Sequence, residues 1–354
     1  MPKPVTKYKT RVCIVPRLSG IGGMVSFQRK LIMGLAARDV EITHNLNEIS
    51  SGSVLVVGGT RNIVGLWKAR NRGARIVQRL NGMNWMHRVR STGLRHYLRA
   101  EYGNINLKFI RNSIANGIVY QSQFARDWWN RTYGLVKIPN NVVYNGVDLL
   151  TFTPSNVSTL PTGRLRVLVV EARLAGGYET GLENAVWLAK EIKKRLTLNQ
   201  SDFADKFVEL IVVGRVSERL RTRCKNQNGV EIRWAGQVQP EQIPEINRSA
   251  HMLFSADINA ACPNSVIEAL ACGTPVVAFD TGSIPELVSQ KSGIVVPYGG
   301  NPWRLELPNI PILAEAAIEV FQRQADFRAG ARQHAEKAFS LDQMVDGYLE
   351  ALSV

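Results

Sequence analysis

Glu268 is a lone carboxylate in an apolar, helix-forming stretch, CPNSVIEALACGTPVV (262–277). Pro263 sets a fixed φ at a helix start, and Asn264 or Ser265 can cap exposed amides. Glu268 follows about one helical turn later. Gly273 suits the residue that stops the helix, and 275–279 reads as a buried strand. A helix N-terminus with outward N–H groups beside a carboxylate can hold a phosphate and a sugar hydroxyl together. A solvated, idle glutamate is the alternative, and the apolar flanks Val266, Ile267, Ala269 and Leu270 weigh against it.

Two further stretches could do chemistry. In GIGGMVSFQRKL (20–31), Gly20, Gly22 and Gly23 follow a strand and open a helix. Without side chains there, backbone amides can approach a diphosphate or an acceptor phosphate; a plain strand-to-helix turn is the competing reading. NWMHRVRSTGLRHYLRAEYGN (84–104) gathers His87, Arg88, Arg90, Arg95, His96 and Arg99 with aromatic neighbours. Such a cluster binds an anionic acceptor or an acidic membrane surface, or is a solvated basic face.

These residues must be positioned by a chain of 354 residues, too long for one ordinary core, so two domains are expected. Hydrophobic content of 45% with 21% charged residues is that of a soluble globular protein. No apolar run approaches the roughly 18 residues of a spanning helix, and VCIVP near the N-terminus is too short for a signal segment. Cys13, Cys224, Cys262 and Cys272 form no Cys-x-x-Cys pair, which suits reduced thiols in a cytoplasmic protein. The net charge of +15 favours an anionic partner. No nucleic-acid motif accompanies that charge, so nucleic acid is not an expected partner.

Short β-branched runs alternate with helical stretches: RVCIVP, SVLVVGG, RIVQRL and GIVYQS, then, after a polar turn-rich stretch at 151–164, LRVLVVEAR, VELIVVG, VEIRWAG and HMLFSA. This pattern predicts parallel, doubly wound sheets in two α/β domains. Ligands bind such sheets at the carboxyl ends of the strands, which places the site in a cleft between domains.

YNGVDLLTFTP (144–154), LIVVGR (210–215), WAGQV (234–238) and the 262–288 stretch, followed by SGIVVP (292–297), occur in the order and spacing of the retaining family-four glycosyltransferases. The chain resembles that family over nearly its whole length. The resemblance implies a GT-B fold, two Rossmann-like domains facing across a cleft. The expected division is an acceptor domain at 1–155, a nucleotide-sugar domain at 156–338, and a C-terminal helix at 339–354 packing back on the first domain. It implies sugar transfer from a nucleoside diphosphate sugar to a glycan or a phosphorylated, lipid-linked acceptor, with retention of configuration, in cell-surface polysaccharide or glycolipid synthesis. The expected location is cytoplasmic, peripheral at the inner membrane face.

Carried over residue by residue, the resemblance puts Arg173, Glu268 and Asn81 at the reacting centre. The donor lies against Gly22, Gly23, Gly214, Arg215, Arg233, Trp234, Asn264, Ser265, Val266 and Glu268; Trp234 is equally a candidate core residue. The acceptor side falls to His87, Arg88, Arg90, Arg95, His96 and Arg99 of the first domain. No Asp-x-Asp motif ends a strand, so no metal and no cofactor are expected. Three positions depart from the family. The first of its two glutamates maps to Ala260, its diphosphate-clamping Lys to Tyr178, and a frequent histidine to Asn81. These departures support a rival reading, a non-catalytic binder of nucleotide sugar or anionic glycan.

Overall fold

The computed structural model describes residues 10–49, 52–154, 160–174, 179–200, 202–224 and 229–353. Of the residues expected at the site, Tyr178 and the side chain of Arg173 lie outside the described residues.

The chain divides into two compact units, one of residues 1–84, 98–146 and 341–354, the other of residues 85–97 and 147–340. In the first, strands β1 (Arg11–Val15), β2 (Glu41–Thr43), β3 (Ser53–Val57), β4 (Arg75–Leu80), β5 (Gly117–Tyr120) and β6 (Asn140–Val142) form a sheet ordered β2-β1-β3-β4-β5-β6. Every pairing is parallel. Helices α1 (Gly23–Ala36), α2 (Ile63–Asn71), α3 (Leu94–Phe109) and α4 (Gln123–Tyr133) occupy the crossovers.

Alternation along the strands sorts the core into two layers. Val12, Ile14, Leu55, Val57 and Val77 meet Phe27, Leu31 and Leu35 of α1 on one face. Cys13, Val15, Val54, Val56 and Ile76 meet Leu66 and Ala69 of α2 on the other. Arg79, on the first of these faces, is fully buried; its guanidinium lies 3.6 Å from the centre of the Phe27 ring and donates to Asn145 Oδ1 at 3.0 Å.

The second unit repeats the plan. Strands β7 (Arg164–Leu174), β8 (Phe207–Val216), β9 (Val230–Gly236), β10 (Met252–Phe254), β11 (Val276–Phe279) and β12 (Gly293–Val296) are ordered β12-β11-β10-β7-β8-β9, again all parallel. The helices are α5 (Glu179–Leu198), α6 (Glu218–Arg223), α7 (Ile243–Arg248), α8 (Asn264–Ala271), α9 (Ile284–Leu287), α10 (Ile310–Gln322) and α11 (Gln324–Ala338). At the amino end of this sheet Glu209, 2% exposed, accepts from Arg164 at 3.1 Å and Arg166 at 2.5 Å, a buried carboxylate satisfied by two guanidinium groups.

The last helix, α12 (Leu341–Leu352), belongs to the first unit. Met344, Val345, Tyr348 and Leu352 close the α1 face of its sheet, and a Cβ on Gly34 of α1 would collide with the Val345 side chain. The first unit's second segment closes at residue 146, and 147–155 cluster with the second unit, as do 85–97. All four cysteines are buried, and none forms a disulfide among the described residues. Among the described residues no helix is long and apolar enough to cross a membrane.

Candidate functional site

In each sheet the strand order reverses at one point, and there the carboxyl ends of two strands diverge to leave a crevice. In the second unit that point lies between β7 and β10. The residues expected to hold a nucleotide sugar gather along this carboxyl edge.

Helix α8 begins with Pro263 as its N-cap residue, and no side-chain cap bond forms. The expected capping by Asn264 or Ser265 is therefore corrected. Pro263, at φ −71° and ψ 120°, makes the turn into the helix itself and leaves Asn264 and Ser265 inside the first turn. Pro263 has no side-chain oxygen to offer the early N–H groups, a kind of helix start that suits an anion. Glu268 sits half-buried one turn on. The helix ends at Gly273, φ +70°, with Gly273 N–H donating to Leu270 O at 2.9 Å and Thr274 N–H to Ala269 O at 2.8 Å. This paired closure requires the left-handed residue that glycine supplies.

On the other side of the crevice, Arg173 and Arg215 are register partners on β7 and β8, beyond a bulge that follows Val170. Arg215 is exposed and donates to Gln237 Oε1 at 3.3 Å. Gly214, φ +134°, lies against the backbone: an added Cβ would collide with the Glu171 carbonyl, so close strand packing alone requires a glycine there. Arg233 is exposed, and Trp234 is half-buried against the second unit's core with Arg221 5.8 Å from its ring.

Sequence reading missed a carboxylate pair at the same crevice. Glu171 lies near the end of β7 and Asp257 just past β10, the two strands flanking the reversal. Burial pushes the Asp257 carboxyl up to about 6. Burial, then the charge of Asp257, holds Glu171 well above the usual carboxylate range. The available signal was an acid closing each of two apolar strands, but their adjacency is a property of topology. Asn259, with φ +59°, and Ala260 continue this loop, and both are buried. The Asn259 Nδ2 and the hydroxyls of Ser255 and Ser283 have no hydrogen-bond partner among the described residues. Among the described residues no three His, Cys, Asp or Glu side chains converge on a common point.

In the first unit the strand order reverses between β1 and β3. The glycine loop follows β1, and Gly20 and Gly22 have φ +93° and +140° with open space where a Cβ would stand. Gly22 is the N-cap of α1 and Gly23 its first residue, with no side-chain cap. Asn81 is half-buried just past β4, and its carbonyl accepts from Trp129 Nε1 at 2.7 Å. Asn145, from the YNGVD motif, was not singled out by sequence; it accepts from both Arg79 and Gln121 and ties the ends of β4 and β5.

The basic stretch is divided between the two units, with Arg99 in the first. Residues 85–97 cluster with the second unit. Trp85 meets Trp303 edge-on at 5.2 Å, and Arg90 donates to the Thr180 hydroxyl at 2.6 Å. His87 is buried, with Tyr97 5.0 Å away. Arg88, Arg95, His96 and Arg99 are exposed.

Residues 173–319 match the family described as glycosyl transferases group 1. A D-inositol 3-phosphate glycosyltransferase of Streptomyces bingchenggensis is 33% identical over 132 residues, 34% of this chain and 26% of that protein. Its counterpart from Jonesia denitrificans is 31% identical over 138 residues, 36% of this chain and 31% of that protein. The matched region thus spans under a third of either relative. Sucrose-phosphate synthase from Thermosynechococcus elongatus superposes with a TM-score of 0.71 at 15% identity, covering 97% of this chain and 98% of that one. Anabaena HepE in complex with UDP and glucose gives 0.67 at 16% identity, covering 97% and 99%. At such identities the likeness speaks for the fold. Similarity to the group 1 glycosyltransferases is thus carried by residues 173–319, and the two six-stranded parallel sheets are those of the GT-B fold.

Proposed function

We propose that this chain transfers a sugar from a nucleoside diphosphate sugar to a glycan or a phosphorylated, lipid-linked acceptor, with retention of configuration and without a metal ion. The observation that carries this reading is the convergence on one sheet edge of the uncapped start of α8, Glu268 one turn later, and Arg215 in register with Arg173. Each has a task. Glu268 accepts hydrogen bonds from the ribose hydroxyls. The amides of Asn264, Ser265 and Val266 face the phosphates, and Arg215 with Arg173 meets the charge that grows on the departing diphosphate. On this reading Arg215 supplies the second positive charge beside Arg173, the role the resemblance gave to the Tyr178 position. The departing phosphate takes the acceptor's proton on the same face, which preserves the anomeric configuration.

UDP is the first nucleotide to test, since HepE is a structural neighbour whose complex contains it. A phosphorylated acceptor suits both the net charge of +15 and the names of the sequence relatives. The reading extends to work at the inner membrane face, in polysaccharide or glycolipid synthesis.

The test is calorimetric titration of UDP-sugars into the native chain and Glu268→Gln, with transfer assayed with and without EDTA. The substitution should weaken binding by about 1.5–3 kcal/mol, the worth of a hydrogen bond to a charged acceptor, while circular dichroism stays native. EDTA should leave transfer unaltered. Equal affinity in both proteins would remove Glu268 from the donor site.

A further inference from the structure

The inner side of helix α3 buries Ala100 and Leu107 beside a set of polar contacts. Its buried side carries Asn104, whose Oδ1 accepts from Asn84 N–H at 2.9 Å and whose Nδ2 donates to Asn84 O at 2.8 Å. Asn106 Nδ2 donates to Thr60 O at 3.0 Å. Just beyond the helix Arg111, 1% exposed, donates to the Tyr120 hydroxyl, Asn130 Oδ1 and Gly134 O at 3.1, 2.8 and 2.8 Å. Polar clips therefore fasten the inner side.

The outer side is apolar. Leu94, Leu98, Tyr102, Ile105 and Phe109 are 75, 60, 56, 61 and 47% exposed. Their spacings of four, four, three and four residues keep them on one stripe about 80° wide at 100° per residue. Arg95 and Arg99 adjoin one edge of that stripe and Lys108 the other, against a single carboxylate on the helix, Glu101. An ordinary solvated helix face is polar, so an exposed apolar stripe of this length marks an interaction surface.

We propose that the outer face of α3 lies flat on an anionic lipid bilayer. Leucine, isoleucine and phenylalanine enter the acyl boundary, Tyr102 sits at headgroup level, and the flanking cations meet lipid phosphates. A second copy of this chain is a poor occupant, because two such faces would pool the three cations of each helix against one carboxylate apiece along a single seam. The inference deepens the membrane-side part of the proposed function and rests on that reading only for its purpose. Lipid binding is measured without any donor, so its failure and the failure of sugar transfer are read separately.

The experiment is co-sedimentation of the full chain with vesicles of phosphatidylcholine alone and of phosphatidylcholine with phosphatidylglycerol. The native chain should sediment with the anionic vesicles. A Leu98→Ser, Ile105→Ser, Phe109→Ser variant should bind them at least about tenfold more weakly, because partition scales with the apolar surface inserted. Arg95→Gln, Arg99→Gln, Lys108→Gln should lose the preference for the anionic lipid. Ile105→Cys, labelled with a polarity-sensitive dye while the four native cysteines stay buried, should shift to the blue on anionic vesicles. Native-like sedimentation of the triple serine variant, or an unshifted dye, overturns the proposal. So does a fall in native molar mass by light scattering on serine substitution with vesicle binding unchanged, which would assign the stripe to a contact between copies.

Discussion

Asp257 places a titration near pH 6 at the crevice where the donor is proposed to bind. Its carboxyl is held up by burial, so it is neutral below that pH and charged above it, beside a Glu171 carboxyl that burial and the charge of Asp257 raise as well. A nucleoside diphosphate sugar ionises its phosphates far below this range, so any change in affinity near pH 6 belongs to the protein. We expect affinity for the sugar nucleotide to fall several-fold as pH rises from 5 to 7, since a new negative charge approaches the diphosphate. Asp257→Asn should flatten the profile. Calorimetry across that range checks it, and a flat native profile would separate the acid pair from the ligand. Glu268 was legible in sequence because one carboxylate interrupts an apolar helix. Asp257 was not, because its importance depends on β7 and β10 lying side by side, 85 residues apart in register at Val167 and Met252.

Strands with continuous apolar runs were the legible ones. RVCIV, SVLVV and LIVVG have the continuous β-branched runs that covered parallel strands require. The edge strands β2, Glu-Ile-Thr, and β6, Asn-Asn-Val, were not read, being three residues long and largely polar. Their identity comes from the neighbour each one pairs with. The expectation of an Asn264 or Ser265 cap failed for a local reason, since proline already fixed the turn one residue earlier. The basic 84–104 stretch was recognised by charge, but periodicity was not followed far enough to see its apolar stripe running on to Phe109. Packing between α1 and α12 supplies a test at this scale. Gly34→Ala drives a methyl group into Val345 and should destabilise the chain by about 1–3 kcal/mol, as overpacked contacts do. Urea unfolding measures it, and Val345→Ala in the same chain should restore part of the loss.

For the whole molecule, acid should act through His251 among other groups. Its Nδ1 accepts the Arg166 N–H at 3.0 Å and the ring is 7% exposed. Burial, with Lys206, Arg328 and Arg166 as cationic neighbours, lowers its pKa to about 4 from 6.5. The unfolded chain therefore takes the proton first: the stabilisation is present above pH 6.5 and lost as pH falls to about 4, roughly 3 kcal/mol in all. The Glu171–Asp257 pair acts with opposite sign over part of this window, so the native-minus-variant difference isolates the imidazole. His251→Asn keeps an acceptor for Arg166 and should lose less stability between pH 7 and pH 4.5 in denaturant melts. The discontinuity of the first unit has a consequence during synthesis. Residues 147–340 are contiguous and can close their own core as soon as they leave the ribosome, whereas the sheet of the first unit must wait for α12 to cover Val12, Ile14 and Leu55. At about 5–20 residues per second, that face is covered by α1 alone for tens of seconds, a partly open nascent-chain surface on which a chaperone would act before α12 emerges.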